Sequence, residues 1–295
     1  MKKTGGSLLL LLTALIWGLA FVAQRFGMNF LGPITFQGVR TLLGCVSLLP
    51  LALLRRKKQG AAFRMPSLRA VLCCGGALAL ASTMQQIGLT ATPAGKAGFI
   101  TALYVVLVPV IGMLLGRRTG RRTWIGVALS LAGLYLLSSV TSFSLEGGEL
   151  WVLASAVMYS LQILSIDHFA PQCDSVMLSC LQFLAAGAAP LLLGLVTEHP
   201  QWRQIWDARW ALLYTGIFSC GVAYTLQIVG QQTTPPTLAS LIMSLESVFS
   251  AVFGALLLHE TMHGRELLGC ALMLLAVVLS QLPERQGQIQ KEGSI

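Results

Sequence analysis

Apolar residues in this chain run in long unbroken stretches, divided by short segments of charge, glycine and proline. About 20 apolar residues cross the ~30 Å hydrocarbon layer as a helix. A window of that size finds ten stretches, at 6–26, 34–54, 68–89, 94–116, 122–140, 148–168, 175–197, 210–230, 235–258 and 264–283. Alternation at a period of two is absent, and the runs are too long for the strands of a membrane barrel. In lipid each segment must satisfy its own backbone, so the pattern predicts an all-α membrane protein with ten transmembrane helices. The first stretch, led by Lys2-Lys3 and holding Gly18-Leu19-Ala20, has features of a cleaved signal peptide. Its spanning length and the further spans behind it predict a retained helix instead.

Sliding the chain along itself by 142 residues exposes a repeat. Thr13, Ala14 and Trp17 meet Ser155, Ala156 and Tyr159. Gln85, Gly88, Thr92, Pro93 and Ala97 meet Gln227, Gly230, Thr234, Pro235 and Ala239; Ile100, Leu103 and Gly112 meet Ile242, Leu245 and Gly254. One residue of insertion then brings Gly126 to Gly269. The chain therefore divides into a first repeat, 1–141 (spans one to five), a second, 142–283 (spans six to ten), and a short tail, 284–295. Five is odd, so the second repeat enters the membrane from the opposite side. Inverted repeats of this kind predict a substrate site near the midplane, between the halves.

Composition agrees with a membrane protein: 55% of residues are hydrophobic, 11% are charged and mean hydropathy is +0.74. That excludes both a soluble domain and a disordered chain. The net charge of +9 leaves a nucleic-acid partner to consider, but the basic residues sit in short loops between spans. With a cytoplasmic N-terminus, Lys2, Lys3, Arg55, Arg56, Lys57, Lys58, Arg64, Arg69, Arg117, Arg118, Arg121, Arg122, Arg285 and Lys291 share one side. Arg25, Lys96, Arg203, Arg209 and Arg265 take the other. This bias predicts a plasma (inner) membrane protein with both termini and the tail cytoplasmic, and no nucleic acid as partner. The run from Arg55 to Lys58 suits contact with anionic headgroups. Seven cysteines, odd in number and without CxxC spacing, read as small residues in helices. No GxxxxGK[ST] motif occurs, so transport would draw on a gradient of solute, proton or ion rather than a nucleotide.

The order and spacing of several motifs resemble the drug/metabolite transporter superfamily, and within it the EamA-type transporters of ten spans. The resemblance rests on Trp17-Gly18, Arg40, the stretch from Thr92 to Arg118, and the stretch from Ser244 to Gly269. It covers essentially the whole chain; Ser247 stands where the family pattern has proline after Glu246. The resemblance implies a secondary transporter working by alternating access, and efflux of a small polar metabolite such as an amino acid. The sequence leaves direction, coupling proton or ion, and association as a homodimer open.

Glu246 is the leading site residue. A carboxylate in the middle of span nine is costly and needs a partner, a proton or a wet cavity, so it is expected to bind a substrate amine or a coupling proton. The 142-residue offset places Tyr104 opposite Glu246, Gln85 opposite Gln227 and Trp17 opposite Tyr159. These six residues are the expected lining of one cavity, with packing as the plain alternative for the aromatics and interhelical bonding for the amides. Arg40 is expected to tie span two to a neighbouring carbonyl or acid, and Lys96 to snorkel to the interface. Gly75-Gly76-Ala77 and the glycines from Gly126 to Gly133 are expected to allow close helix packing, and Pro93, Pro109, Pro235 and Pro236 to mark where spans four and nine bend or begin. No cofactor or enzymatic activity is expected. One motif points elsewhere: His259-Glu260-Thr261-Met262-His263 is a formal HExxH zinc-protease pattern, without a well-placed third ligand. A structural or lipid-handling membrane protein is the other alternative.

Overall fold

The structure is a computed structural model whose described residues are 3–92, 94–117, 119–137, 147–258 and 262–282. Helix forms in every apolar stretch. The chain runs α1 (Lys3–Gly27), α2 (Pro33–Gln59), α3 (Leu68–Ala91), α4 (Ala94–Ala102), α5 (Tyr104–Leu114), α6 (Arg121–Leu137), α7 (Gly147–Phe169) and α8 (Ser175–Thr197). It continues with α9 (Trp202–Asp207), α10 (Arg209–Leu213), a π-helical segment (Tyr214–Tyr224), α11 (Thr225–Gln231), α12 (Pro236–Met243), α13 (Glu246–Leu258) and α14 (Gly264–Gln281). Among the described residues nine segments are long and apolar enough to cross a membrane. The stretch expected at 122–140 forms the 17-residue α6, with 138–140 outside the described residues.

The bundle is apolar outside, and its largely apolar interior also buries many polar side chains. Leu54, Leu192, Val196, Leu256 and Val278 are exposed, while Gln37, Gln86, Ser155, Gln182 and Ser240 are buried. That distribution suits a lipid surround, where association rests on close packing and interhelical hydrogen bonds. The glycines supply the packing. A Cβ on Gly133 would come within 2.7 Å of the Gly269 carbonyl, and one on Gly269 within 2.6 Å of the Gly133 carbonyl, so α6 and α14 cross backbone to backbone. Gly75 similarly meets α8, but Gly76 faces open space, so only part of the expected small-residue cluster packs.

Charged groups fix the ends of the helices. Asp174 caps α8, accepting from the amides of Val176 and Met177 at 3.0 Å each, and it pairs with Arg55 at the end of α2 at 2.7 Å. Burial pushes the Asp174 carboxyl up, but the Arg55 guanidinium and the two amides outweigh it and hold it below its ordinary value. Glu198, after α8, accepts from the Ile34 and Thr35 amides at 3.0 and 2.8 Å and thereby caps α2. Lys96 pairs with Glu149, and Arg117 with Asp167. Lys96 thus reaches an acid in the first turn of α7, a partner the sequence reading did not name. Since 96 lies beside 149 and 117 beside 167, α4–α5 and α7 run in the same direction. The chain must therefore return to its starting face between them, and α6, about 25 Å long at 1.5 Å per residue, supplies that return.

Three stretches depart from continuous α-helix. Span four breaks at Leu103 and span nine at Ser244–Leu245, positions related by the same 142 residues. Neither break is at a proline. Pro109 lies inside α5, Pro235 caps the start of α12, and Pro93 lies outside the described residues. Span eight carries eleven residues of π-helix, which the sequence pattern does not reveal. The loop before it is also structured. Trp202, Trp206 and Trp210 are exposed there, with the Arg209 guanidinium over Trp206 and Trp210 at 5.1 and 5.6 Å, an arrangement suited to a membrane interface.

Candidate functional site

At the centre of the bundle lies a cavity, walled among the described residues by sixteen from α1, α2, α3, α4, α5, α7, the π-helical segment, α11, α12 and α13. All six residues singled out by the 142-residue offset, Trp17, Gln85, Tyr104, Tyr159, Gln227 and Glu246, stand on its wall. Three more offset pairs join them: Ala20 with Gln162, Phe21 with Ile163, and Thr101 with Met243. These lay within reach of the sequence. Residues 17, 20, 21 and 24 form one stripe of a helix at i, i+3, i+4 and i+7, and 159, 162 and 163 begin the same stripe in the second half. Extending each candidate along its helix face finds them.

The two helix breaks set the chemistry of the cavity. Tyr104 begins α5 and Glu246 begins α13, each the first residue after an interruption. The Tyr104 hydroxyl donates to Glu246 Oε1 at 3.0 Å, so the offset partners touch. Glu246 is 4% exposed and forms no ion pair among the described residues. Its carboxyl sits at the N-terminal end of a half-helix, where backbone dipoles favour negative charge. A carboxylate so withdrawn from water still calls for a cation or a proton to match it.

Around this pair the polar groups form a partial network. The Tyr159 hydroxyl donates to Gln85 Oε1 at 3.1 Å, and Gln85 Nε2 donates to Thr101 Oγ1 at 3.1 Å. Gln227 Nε2 donates to Gln162 Oε1 at 3.3 Å. The two offset glutamines therefore bond to different partners and not to each other. Three cavity amides keep one buried atom without a partner: Gln24 Oε1, Gln162 Nε2 and Gln227 Oε1. Such atoms are costly in a dry interior and suit a polar solute or water.

The aromatic wall depends on the π-helical segment. Trp17 Nε1 donates to the Ser219 carbonyl at 3.2 Å, and the Trp17 ring tilts over Tyr224 with centroids 4.7 Å apart. Tyr224 in turn meets Phe183 edge-on at 5.6 Å. π-Helical turns free carbonyls and re-aim side chains, and they recur at functional sites. Tyr224 and Ser219 were missed by sequence reasoning because their cavity position depends on that winding.

Arg40 is placed differently from expectation. It is buried on the cavity wall, and its Nε donates to Gln37 Oε1 at 2.7 Å, a side chain one turn back on its own helix. It ties α2 to no neighbouring carbonyl or acid among the described residues, so the expected structural tie is absent there. Of the HExxH residues, His259, Glu260 and Thr261 lie outside the described residues. His263 is the exposed N-cap of α14, its backbone amide donating to Glu266 at 2.8 Å. No group of three His, Cys, Asp or Glu side chains able to hold a metal occurs among the described residues. The tail 284–295 also lies outside them.

Comparison with known proteins agrees with this architecture. The model of the EamA-like transporter family matches twice, over residues 4–139 and 146–282. The chain is 32% identical over 284 residues to an uncharacterized transporter of Archaeoglobus fulgidus, covering 95% of this chain and 87% of the relative. It is 27% identical over 281 residues to the chloroplastic WAT1-related protein At3g02690 of Arabidopsis thaliana, covering 91% and 67%. It is 24% identical over 275 residues to the uncharacterized inner membrane transporter YedA of Escherichia coli K12, covering 91% and 88%. A protein of known crystal structure superposes with a TM-score of 0.80 at 18% identity, over 95% of this chain and 97% of that one, a likeness of fold.

Proposed function

From membership of the EamA-like transporter family, to which this chain belongs, we propose that this membrane transporter exports a small polar metabolite, such as an amino acid, by alternating access around the central cavity. Glu246 is the group that binds the substrate amine or the coupling proton. Trp17, Gln85, Tyr104, Tyr159 and Gln227 line the path with it. The observation that carries this reading is the contact between Tyr104 and Glu246. Two residues 142 apart, each opening a half-helix after a break, meet at 3.0 Å in a buried cavity. Interrupted helices at matching places in two halves are the common device for a midplane site in transporters built from inverted repeats.

Further support comes from the lining. Twelve of the sixteen cavity residues fall into six pairs at the 142-residue offset, as a site on a pseudo-two-fold axis requires. The two family matches divide the chain near the proposed boundary between repeats, 1–141 and 142–283. The parallel course of α4–α5 and α7 fits a fifth crossing by α6, and so a count of ten spans. An inner-membrane location with cytoplasmic termini is favoured by the asymmetry of basic residues and by the location printed for YedA.

Counterflow into proteoliposomes, with a pooled metabolite mixture read by mass spectrometry, tests the reading. The wild type is expected to accumulate a small set of solutes absent from empty vesicles. Glu246→Gln keeps the shape and removes the charge, and is expected to abolish accumulation while eluting as folded protein. Undiminished flux in Glu246→Gln would remove that residue from the mechanism.

A further inference from the structure

Four cavity residues have no partner on the wall 142 positions away: Gln24, Arg40, Ser219 and Tyr224. The paired residues form a frame nearly alike in both halves; these four make its two sides different. Only one of the four carries a full charge. The residue matching Arg40 in the second half is Gln182, which lies off the cavity, buried, with both amide atoms unpartnered.

Arg40 is 5% exposed. Its one hydrogen bond among the described residues goes from Nε to the neutral Gln37 amide, which is itself held by Thr41 and Ser82. Among the described residues no carboxylate pairs with it. Among the described residues the only acid on the cavity wall is Glu246, and Glu246 is engaged by Tyr104. Tyr159 stands on the same wall and interacts electrostatically with both Arg40 and Glu246. The cavity therefore holds a cation and an acid that do not meet. Separated charges in a dry site each carry a desolvation cost, and a solute bearing the opposite charge at each end relieves both at once.

We infer that Arg40 is a substrate-binding residue, taking the anionic group of a dipolar solute whose cationic group is held at Glu246. The site then prefers molecules with both charges over amines or acids of the same shape. This rests on the transport reading and adds a second pole to it. Gln24 Oε1 and Gln162 Nε2, buried and unpartnered on the same wall, supply an acceptor and a donor for further polar groups of the solute. Arginine suits the role because its planar fork holds a carboxylate through two hydrogen bonds.

The test is counterflow from an equimolar mixture of α-amino acids, the amines left by their decarboxylation and the carboxylic acids left by their deamination. Wild-type protein is expected to accumulate dipolar members at least tenfold over the matched amine and acid. Arg40→Met is expected to lower the dipolar-to-amine ratio at least tenfold, and Arg40→Lys by less. A wild type that prefers amines to their dipolar parents overturns the inference. So does an Arg40→Met protein whose uptake of both falls in equal proportion, the mark of a structural residue. If Arg40→Met does not fold, wild-type selectivity and Arg40→Lys decide. If the wild type carries nothing, the transport reading fails. Thermal stabilisation of the purified protein by the same solutes then decides the inference. Stabilisation by dipolar members alone, weakened in Arg40→Lys, upholds it, and equal or absent stabilisation overturns it.

Discussion

Asp174 shows how much one side chain at a helix end can hold. Its carboxyl caps α8 and receives both Nε and Nη2 of Arg55, at 2.9 and 2.7 Å, while its own amide donates to the Arg64 carbonyl at 2.9 Å. Asp174→Ala is expected to lower stability by about 1–2 kcal/mol at neutral pH, the size of a lost cap with an added charge contact. The sign of the pH dependence follows from the direction of its shift. The native carboxyl is held below the unfolded value of about 3.9, so its contribution is full above that value and disappears as pH falls through the native one. Thermal melts of wild type and Asp174→Ala should therefore differ most near pH 7 and converge in acid. A gap that stays constant into acid would show that the charge is not what stabilises. Legibility in the sequence divides along the same line between local and distant partners. Glu246 was legible because a carboxylate inside an apolar run is conspicuous, and Tyr104 because the offset is arithmetic. The setting of Arg40 was not, since it depends on where Glu246 and Tyr159 fall in space. The partner of Lys96 was not legible either, since Glu149 lies 53 positions away.

At the scale of helices, glycine and winding set the geometry. A Cβ on Gly18 would come within 2.5 Å of the Phe249 Cβ and 3.0 Å of the Glu246 carbonyl, so α1 lies directly against the start of α13. Gly18→Val is expected to push these helices apart, lowering stability by about 1–3 kcal/mol as overpacked sites do. It is also expected to cut transport per folded protein more than a substitution on the lipid face, because it shifts the break that presents Glu246. Flux normalised to folded protein for Gly18→Val beside Val278→Ala would check this; equal losses would contradict it. Hydropathy revealed where helices lie and how long they run, since lipid demands about 20 apolar residues per crossing. It did not reveal the breaks at Leu103 and Ser244–Leu245, which occur without proline and leave hydropathy unchanged. Nor did it reveal the π-helical turns, whose composition resembles that of the neighbouring helix.

Across the whole molecule, the account joins two halves of like fold around one cavity whose wall is mostly shared in pairs. Contacts between the halves follow the same pattern: α3 packs on α7, and α1 on α11; α5 packs on α7, and α1 on α13. Each of these contacts is matched by the other under the 142-residue offset. The ion pairs Lys96–Glu149 and Arg117–Asp167 brace α4–α5 against α7 at both ends. The central claim is that this cavity opens to each side of the membrane in turn. Ala20 lies on its wall, is 1% exposed and makes no side-chain hydrogen bond to lose. Ala20→Cys, treated with a membrane-impermeant thiol reagent from one face or the other and read by mass spectrometry at that residue, tests the claim directly. The account expects modification from both faces, slowed from each by the transported solute. Modification from one face alone, in protein that still transports, would contradict it.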